Sequence, residues 1–209
     1  MKHFRFSLFA LFVLASFNIL KAQNFRFGVH LTPGVNFLTT DQPGADAGSS
    51  FYFSYGGLME YRFAENYAFA TGFEVSQRGG TLELNDTIGD YRSGFLQFPL
   101  LLRMRTREFG YFTYNAEFGL VPAFRTSDRS DFDPVIPEAE RLENYVEFFN
   151  TLFRFGIGAE YSLGGSTALF VNLNYNRSLI NNLNDDDSRL RNRYSYRFDY
   201  VALTLGFIF

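Results

Sequence analysis

The sequence predicts an all-β protein, an eight-stranded antiparallel transmembrane β-barrel, and three observations carry that expectation. Apolar and polar residues alternate with a period of two along eight stretches, each of roughly 10 to 16 residues. Ordinary strands average about 5 to 6 residues, whereas a tilted strand crossing a bilayer needs about 9 to 11 in the hydrocarbon alone. The links between the stretches are alternately long and short, the pattern of a barrel with turns on one side and loops on the other.

The first element is not a strand. Lys2, His3 and Arg5 precede the apolar run FSLFALFVLASFNIL, and KAQ follows with a small residue at Ala22. A basic, then apolar, then small-residue order marks a secretory signal peptide over residues 1–22, leaving 23–209 as one outer-membrane β-barrel domain. The run is short for a membrane helix, and no basic stop-transfer cluster follows it. No cysteine is present for lipid attachment, a disulfide or a thiolate metal site, although an exported chain meets conditions that allow disulfides. The leader holds Lys2, Arg5 and Lys21 and no acid, so the remainder is more acidic than the whole chain, whose net charge is −3. An acidic exported chain is a poor binder of nucleic acid, and none is expected as a partner.

The strands then follow in order. NFRFGVHLTPGVNFL sets Phe25, Phe27, Val29, Leu31, Val35 and Phe37 against Arg26, His30, Thr32 and Asn36. FYFSYGGLMEYRF sets Phe51, Phe53, Tyr55, Met59, Tyr61 and Phe63 against Ser54, Gly56, Glu60 and Arg62. YAFATGFEVSQR sets Tyr67, Phe69, Phe73 and Val75 against Ala68, Gly72, Glu74, Ser76 and Arg78. RSGFLQFPLLLRMR sets Leu96, Phe98, Leu100, Leu102 and Met104 against Gln97, Pro99, Arg103 and Arg105. GYFTYNAEFGLVPAF sets Phe112, Tyr114, Ala116, Phe118 and Leu120 against Thr113, Asn115, Glu117 and Gly119. EFFNTLFRFGIGAEY sets Phe149, Phe153, Phe155, Ile157, Ala159 and Tyr161 against Asn150, Arg154, Gly156, Gly158 and Glu160. ALFVNLNYNRSL sets Leu169, Val171, Leu173 and Tyr175 against Asn172, Asn174 and Asn176. The last strand runs from about Tyr194 to Phe209, with a change of parity expected near Asp199 to Val201, at a bulge.

AEN, TRE and SLGGS are the short links; TTDQPGADAGSS, GGTLELNDTIGDY, RTSDRSDFDPVIPEAERLENYV and INNLNDDDSRLRNR are the long ones. An even number of strands then puts both termini on the short-turn, periplasmic side. Unpaired backbone is too costly in lipid for an open sheet, so the strands must close. An eight-strand interior is just wide enough to be filled by side chains, so the polar face points inward and the aromatic face toward lipid. The 20% aromatic share beside a mean hydropathy of −0.11 fits this segregation, with Tyr and Phe near strand ends as interfacial girdles. Glu60, Glu74, Glu117, Glu160 and Asp199 are expected to pair across the lumen with Arg62, Arg78, Arg103, Arg105 and Arg154. Gly56, Gly72, Gly119, Gly156 and Gly158 are expected to make room for those side chains.

The closing YVALTLGFIF carries Val201, Leu203, Leu205, Phe207 and Phe209 on one face. A terminal strand of this kind ending in Phe resembles the signal by which the barrel-insertion machinery recognises outer-membrane barrels. The signal peptide ending in AQ, the stretches FLQFPLLLRMR and FRFGIGAEY and the closing LTLGFIF together resemble the PorT-like outer-membrane β-barrel proteins of Bacteroidota. The resemblance spans the mature chain, and its most specific part is the aromatic and leucine run broken by Pro99 and ended by Arg103. It implies an integral outer-membrane location, contact with lipid and lipopolysaccharide, and a link to type IX protein secretion through the family's namesake. It brings no catalytic residues.

Little else points to chemistry. His30 is the one histidine beyond the leader, and without a serine motif aimed at it a lumenal polar role is the expectation rather than hydrolysis of lipid or peptide. Glu74 and Glu117 fit an acid/base couple, but arginines on the same wall make an ion-pair network the expected role. NDDDSR at 184–189 and SDFDP at 130–134 gather oxygen ligands without the spacing of a calcium loop, so they read as solvated acidic loops. PEAERLENY, with Pro137 where a helix would start, reads as a short surface helix. No cofactor, metal or catalytic residue is expected. The function expected is that of a small non-enzymatic barrel working in envelope structure or through its outer loops and protein partners, with a secretion accessory and an outer-membrane hydrolase as alternatives.

Overall fold

The computed structural model describes residues 24–40, 46–84, 87–133, 148–180 and 196–209. The stretch expected as a signal peptide, the NDDDSR stretch and the PEAERLENY stretch lie outside them. The long alternating segments form the staves of a barrel: β1 Phe25–Thr40, β2 Ser49–Ala64, β3 Tyr67–Leu84, β4 in two pieces (Thr87–Gln97 and Leu100–Arg105), β5 Phe112–Asp133, β6 Phe149–Gly164, β7 Thr167–Ser178 and β8 Tyr196–Ile208. A two-residue piece, Asp46–Ala47, pairs with Leu82 and Glu83 of β3. Each stave bonds the next in antiparallel fashion, and β8 bonds back to β1 with Ile208 opposite Gly28. The sheet therefore has no open edge around its ring, as a lipid-facing sheet requires.

The register fixes the shape. From Arg26 the partners run to Glu60, Ala70, Leu101, Gly119, Arg154, Asn176, Tyr200 and back to β1 at Asn36, ten residues beyond the start. A stagger of ten residues is about 33 Å, against about 38 Å measured perpendicular to the eight strands, so the strands tilt by about 40°. The inner-face residues of successive strands thus rise in a spiral, which decides which lumenal charges share a level.

Burial is inverted relative to a water-soluble protein. Glu60 and Arg103 are only 0% and 2% exposed, whereas Val29 and Leu31 on the outer wall are 56% and 55% exposed. A belt of exposed aliphatic and aromatic side chains runs round all eight staves, and a band that large is stable only against an apolar medium. Aromatic pairs lie toward both ends of the outer wall, with ring centroids of Phe25 and Tyr61 at 4.8 Å and of Phe112 and Tyr161 at 5.1 Å at the short-turn end, and of Phe124 and Phe149 at 5.3 Å at the other. Two of the short turns use a glycine in the left-handed region, Gly110 (φ 65°) and Gly165 (φ 64°), where other residues are strained.

Four expectations are corrected. Much of the stretch expected as the long link from 79 to 91 is strand, continuing β3 to Leu84 and β4 from Thr87, because their backbones stay in register from Glu74–Gln97 to Leu84–Thr87. Similarly, 125–133 extends β5 against β4 instead of opening a loop. β4 is interrupted at Phe98–Pro99, since proline has no N–H to give the ladder; Phe98 N–H still donates to Pro122 C=O at 2.9 Å. Finally, β8 keeps one register against β1 on both sides of Asp199, so its parity does not change: Phe198 and Tyr200 point inward, and Asp199 faces out.

Candidate functional site: the charged lumen

The lumen is assembled in layers from the inner face. Near the short-turn end, the Glu60 carboxylate accepts from Arg103 Nη1 at 2.9 Å, Arg105 Nη1 at 2.8 Å and Arg62 Nε at 3.4 Å. Glu160 accepts from Arg26 Nη1 at 3.0 Å and from Arg105 Nη2, while Arg26 also lies 3.5 Å from Glu60. Arg103 turns its other edge to Glu117, donating from Nε at 3.0 Å and Nη2 at 2.6 Å, and Asn172 Nδ2 donates to the same carboxylate at 3.2 Å. Arg103 thus ties two carboxylates together while almost wholly buried.

One layer on, Arg154 clamps Glu74 with two donors at 2.7 and 2.8 Å and gives Nε to Asn176 at 2.7 Å. A bidentate fork of this kind is the strongest common geometry between a guanidinium and a carboxylate. Arg154 Nη2 reaches the Tyr200 hydroxyl at 3.4 Å, which donates to Gln97 at 3.4 Å, and Gln97 in turn donates to Ser76. Beyond this, toward the long links, the interior turns apolar: Tyr52 stacks on Tyr200 at 4.0 Å, among Phe95, Leu101, Val121, Ala123 and Leu152.

His30 sits in the wall of this network with Nδ1 3.2 Å from Thr32 Oγ1 and Nε2 3.8 Å from Glu74. Thr32 continues to Thr204 at 3.0 Å, to which Asn174 donates at 2.8 Å. At the short-turn end a cavity of about 400 Å³ opens between Arg26, Arg62, Arg105, Glu108, Thr113 and Glu160. Among the described residues no group of His, Cys, Asp and Glu has the arrangement of a metal site.

Of the residues expected in the lumen, Glu60, Arg62, Glu74, Arg103, Arg105, Glu117, Arg154 and Glu160 are brought together by these contacts. Asp199 is not: on the outer side of β8 it accepts from Ser178 N–H at 3.1 Å and Tyr175 O–H at 3.4 Å. Arg78 does point inward but takes no carboxylate; its guanidinium lies over the Phe95 ring at 4.5 Å. Arg26 belongs to the network although it was not expected among the pairs; its place on the polar face of the first strand was the available signal. The apolar inner cluster was missed because Phe95, Leu101 and Tyr200 break the polar pattern on their own strands. Val201, Leu203, Leu205, Phe207 and Phe209 all lie exposed on the outer face of β8.

The glycines divide into two groups. A methyl at Gly156 would meet Asn174 Oδ1, and one at Gly158 would meet Asn172 Oδ1, so these two make room for lumenal side chains. At Gly56, Gly72 and Gly119 the obstacle is the backbone of the neighbouring strand, so there the glycine permits a close, strongly coiled approach instead. Gly158→Ala is expected to displace Asn172 and lower stability by about 1–3 kcal/mol, as overpacking does. Urea unfolding in detergent, compared with Gly165→Asn at an open turn, measures it.

The family described as outer membrane protein beta-barrel domain matches residues 21–184. No curated protein matches the chain. Among solved structures, the chain is similar to the outer membrane protein OprG from Pseudomonas aeruginosa, at 12% identity and a TM-score of 0.56, covering 88% of this chain and 93% of that one. It is also similar to Neisserial surface protein A, at 14% identity and a TM-score of 0.48 over 87% and 95% of the two chains. At 12% identity the likeness to OprG speaks for the fold alone.

Proposed function

Because the chain belongs to the family of outer membrane protein beta-barrel domains, and is thus a small barrel integral to the bacterial outer membrane, we propose that it acts there as a closed, non-enzymatic scaffold. On this reading its specific work is done by the long-link end and by lateral contacts with other envelope proteins. The observation that carries it is the filled lumen: Arg154 reaches Glu74 three strands away, Arg103 and Arg105 reach Glu60 and Arg105 reaches Glu160 two strands away, and Arg103 also holds Glu117 on the neighbouring strand, so paired charges pack the described layers. An eight-stave barrel packed in this way is a plug instead of a pore.

β1 begins and β8 ends at the short-turn end, where Phe27 and Phe209 exchange backbone hydrogen bonds at 2.9 and 2.7 Å, and we place that end in the periplasm. The outward row Val201, Leu203, Leu205, Phe207 and Phe209 is then the strand the insertion machinery reads, with outer-membrane lipid and lipopolysaccharide as the surrounding partners. The stretches FLQFPLLLRMR and FRFGIGAEY favour a place among PorT-like barrels of Bacteroidota and, as the second reading, an accessory role in type IX secretion. For a hydrolase, His30 offers contacts to Thr32 and Glu74 and no bonded serine among the described residues.

Two measurements test the proposal. In planar bilayers the purified barrel is expected to give no sustained conductance; steady open-channel current would overturn the scaffold reading. Affinity capture from detergent-solubilised outer membranes is expected to bring envelope proteins along, and shortening the stretch 181–195 to a tight turn is expected to lose them. Purification alone, unchanged by that shortening, would refute the partner role.

A further inference from the structure

We propose that Arg78 is the floor of an oxyanion site in the long-link half of the lumen, taking a single carboxylate or phosphate group. Five inner-face arginines among the described residues share one trait. Arg26, Arg62, Arg103, Arg105 and Arg154 each meet at least one carboxylate. Arg78 is as buried as Arg103, at 2% exposed, yet none of its three guanidinium nitrogens has a hydrogen-bond partner.

The packing explains why its donors are idle. The guanidinium carbon lies 4.5 Å from the centre of the Phe95 ring and 5.4 Å from that of Tyr200, so aromatic faces cover the plane of the group and supply no acceptor at its edges. Other idle donors surround the same ring. Tyr52, stacked on Tyr200, has a hydroxyl without a partner, and Asn176, in register with Tyr200, has a free Nδ2. Glu74, the inner-face carboxylate nearest in sequence, is already held through both oxygens by Arg154.

A guanidinium cannot shed its proton to escape burial, so an uncompensated one stays charged. Water would satisfy its N–H groups without balancing the charge; an anion does both. The planar fork selects an anion with two oxygens on one centre, and the Tyr52 hydroxyl and Asn176 amide add donors suited to the same ligand.

The test uses the full barrel refolded in detergent. Its unfolding temperature is measured in chloride, inorganic phosphate or acetate at matched ionic strength. Phosphate, acetate or both are expected to raise the wild-type midpoint saturably above its value in chloride, and Arg78→Gln is expected to abolish that rise. A phosphate-only response assigns a phosphate-bearing ligand, and an acetate-only response a carboxylate. Equal midpoints in all three salts, or a rise that survives in Arg78→Gln, would overturn the proposal. Should Arg78→Gln not fold, the Arg78 Nε resonance of the wild-type protein decides: a saturable shift with phosphate or acetate supports the site, and no shift sinks it.

Discussion

Arg103→Ala is expected to cost the folded barrel about 3–5 kcal/mol, the largest loss foreseen for any single change in the lumen. The reason is less the loss of favourable contacts than what is left behind. Glu60 and Glu117 both turn their carboxylates to Arg103, and Glu60 is fully sealed from solvent. Without the guanidinium, Glu117 keeps Asn172 as its hydrogen-bond donor and no arginine, while Glu60 falls back on Arg26, Arg62 and Arg105. Adding Glu117→Gln to Arg103→Ala removes the stranded charge, so the double change is expected to cost less than the sum of the two single changes. Urea unfolding in lipid vesicles measures all three variants. Additive losses, or a loss below about 1 kcal/mol for Arg103→Ala, would show that the charges are hydrated and the lumen is wet.

The second large effect lies on the other face. Leu203→Arg is expected to destabilise the barrel by about 2–4 kcal/mol, the cost of a cation near the bilayer midplane. Leu203 pairs with Leu173, which pairs with Ile157, in the middle of an outward apolar band. The control is Leu163→Arg, at the end of β6 beside the short turn, where a long cation reaches the headgroups at about 0–1 kcal/mol. Leu203 is 41% exposed and Leu163 is 52% exposed, so exposure alone separates the two sites little and would give the two changes similar costs. A difference between them in vesicles that vanishes in detergent of matched headgroup would tie the effect to depth in a bilayer; equal costs in vesicles would contradict the membrane placement.

Both experiments rest on a division between faces that a reader of the chain alone can make. Phe25, Phe27, Val29 and Leu31 alternate with Arg26, Gly28 and His30, and the structure puts the first set outside and the second inside without exception. The same reading went wrong where local composition stopped tracking structure. The polar segments 79–84, 87–91 and 125–133 are strand because their neighbours hold them in register, an effect no property of their own residues announces. In β8, Asp199 was expected inside because it is charged; unbroken pairing with β1 keeps it outside, where Ser178 N–H and the Tyr175 hydroxyl satisfy it. Phe98–Pro99 looked like part of one continuous strand, and the missing proline N–H divides it.

From the chain by itself came the alternation that sorts side chains to lipid or lumen, the number of staves and the order of short and long links, because each is a local property of period, length and turn composition. Which arginine meets which glutamate was decided only by closure of the ring. Arg154 and Glu74 stand 80 residues apart, and Arg26 and Glu160 are separated by 134, so no spacing in the sequence relates them. They share a level because the sheet closes with a ten-residue stagger, and the same stagger leaves Arg78 among aromatic rings, over Phe95 and Tyr200.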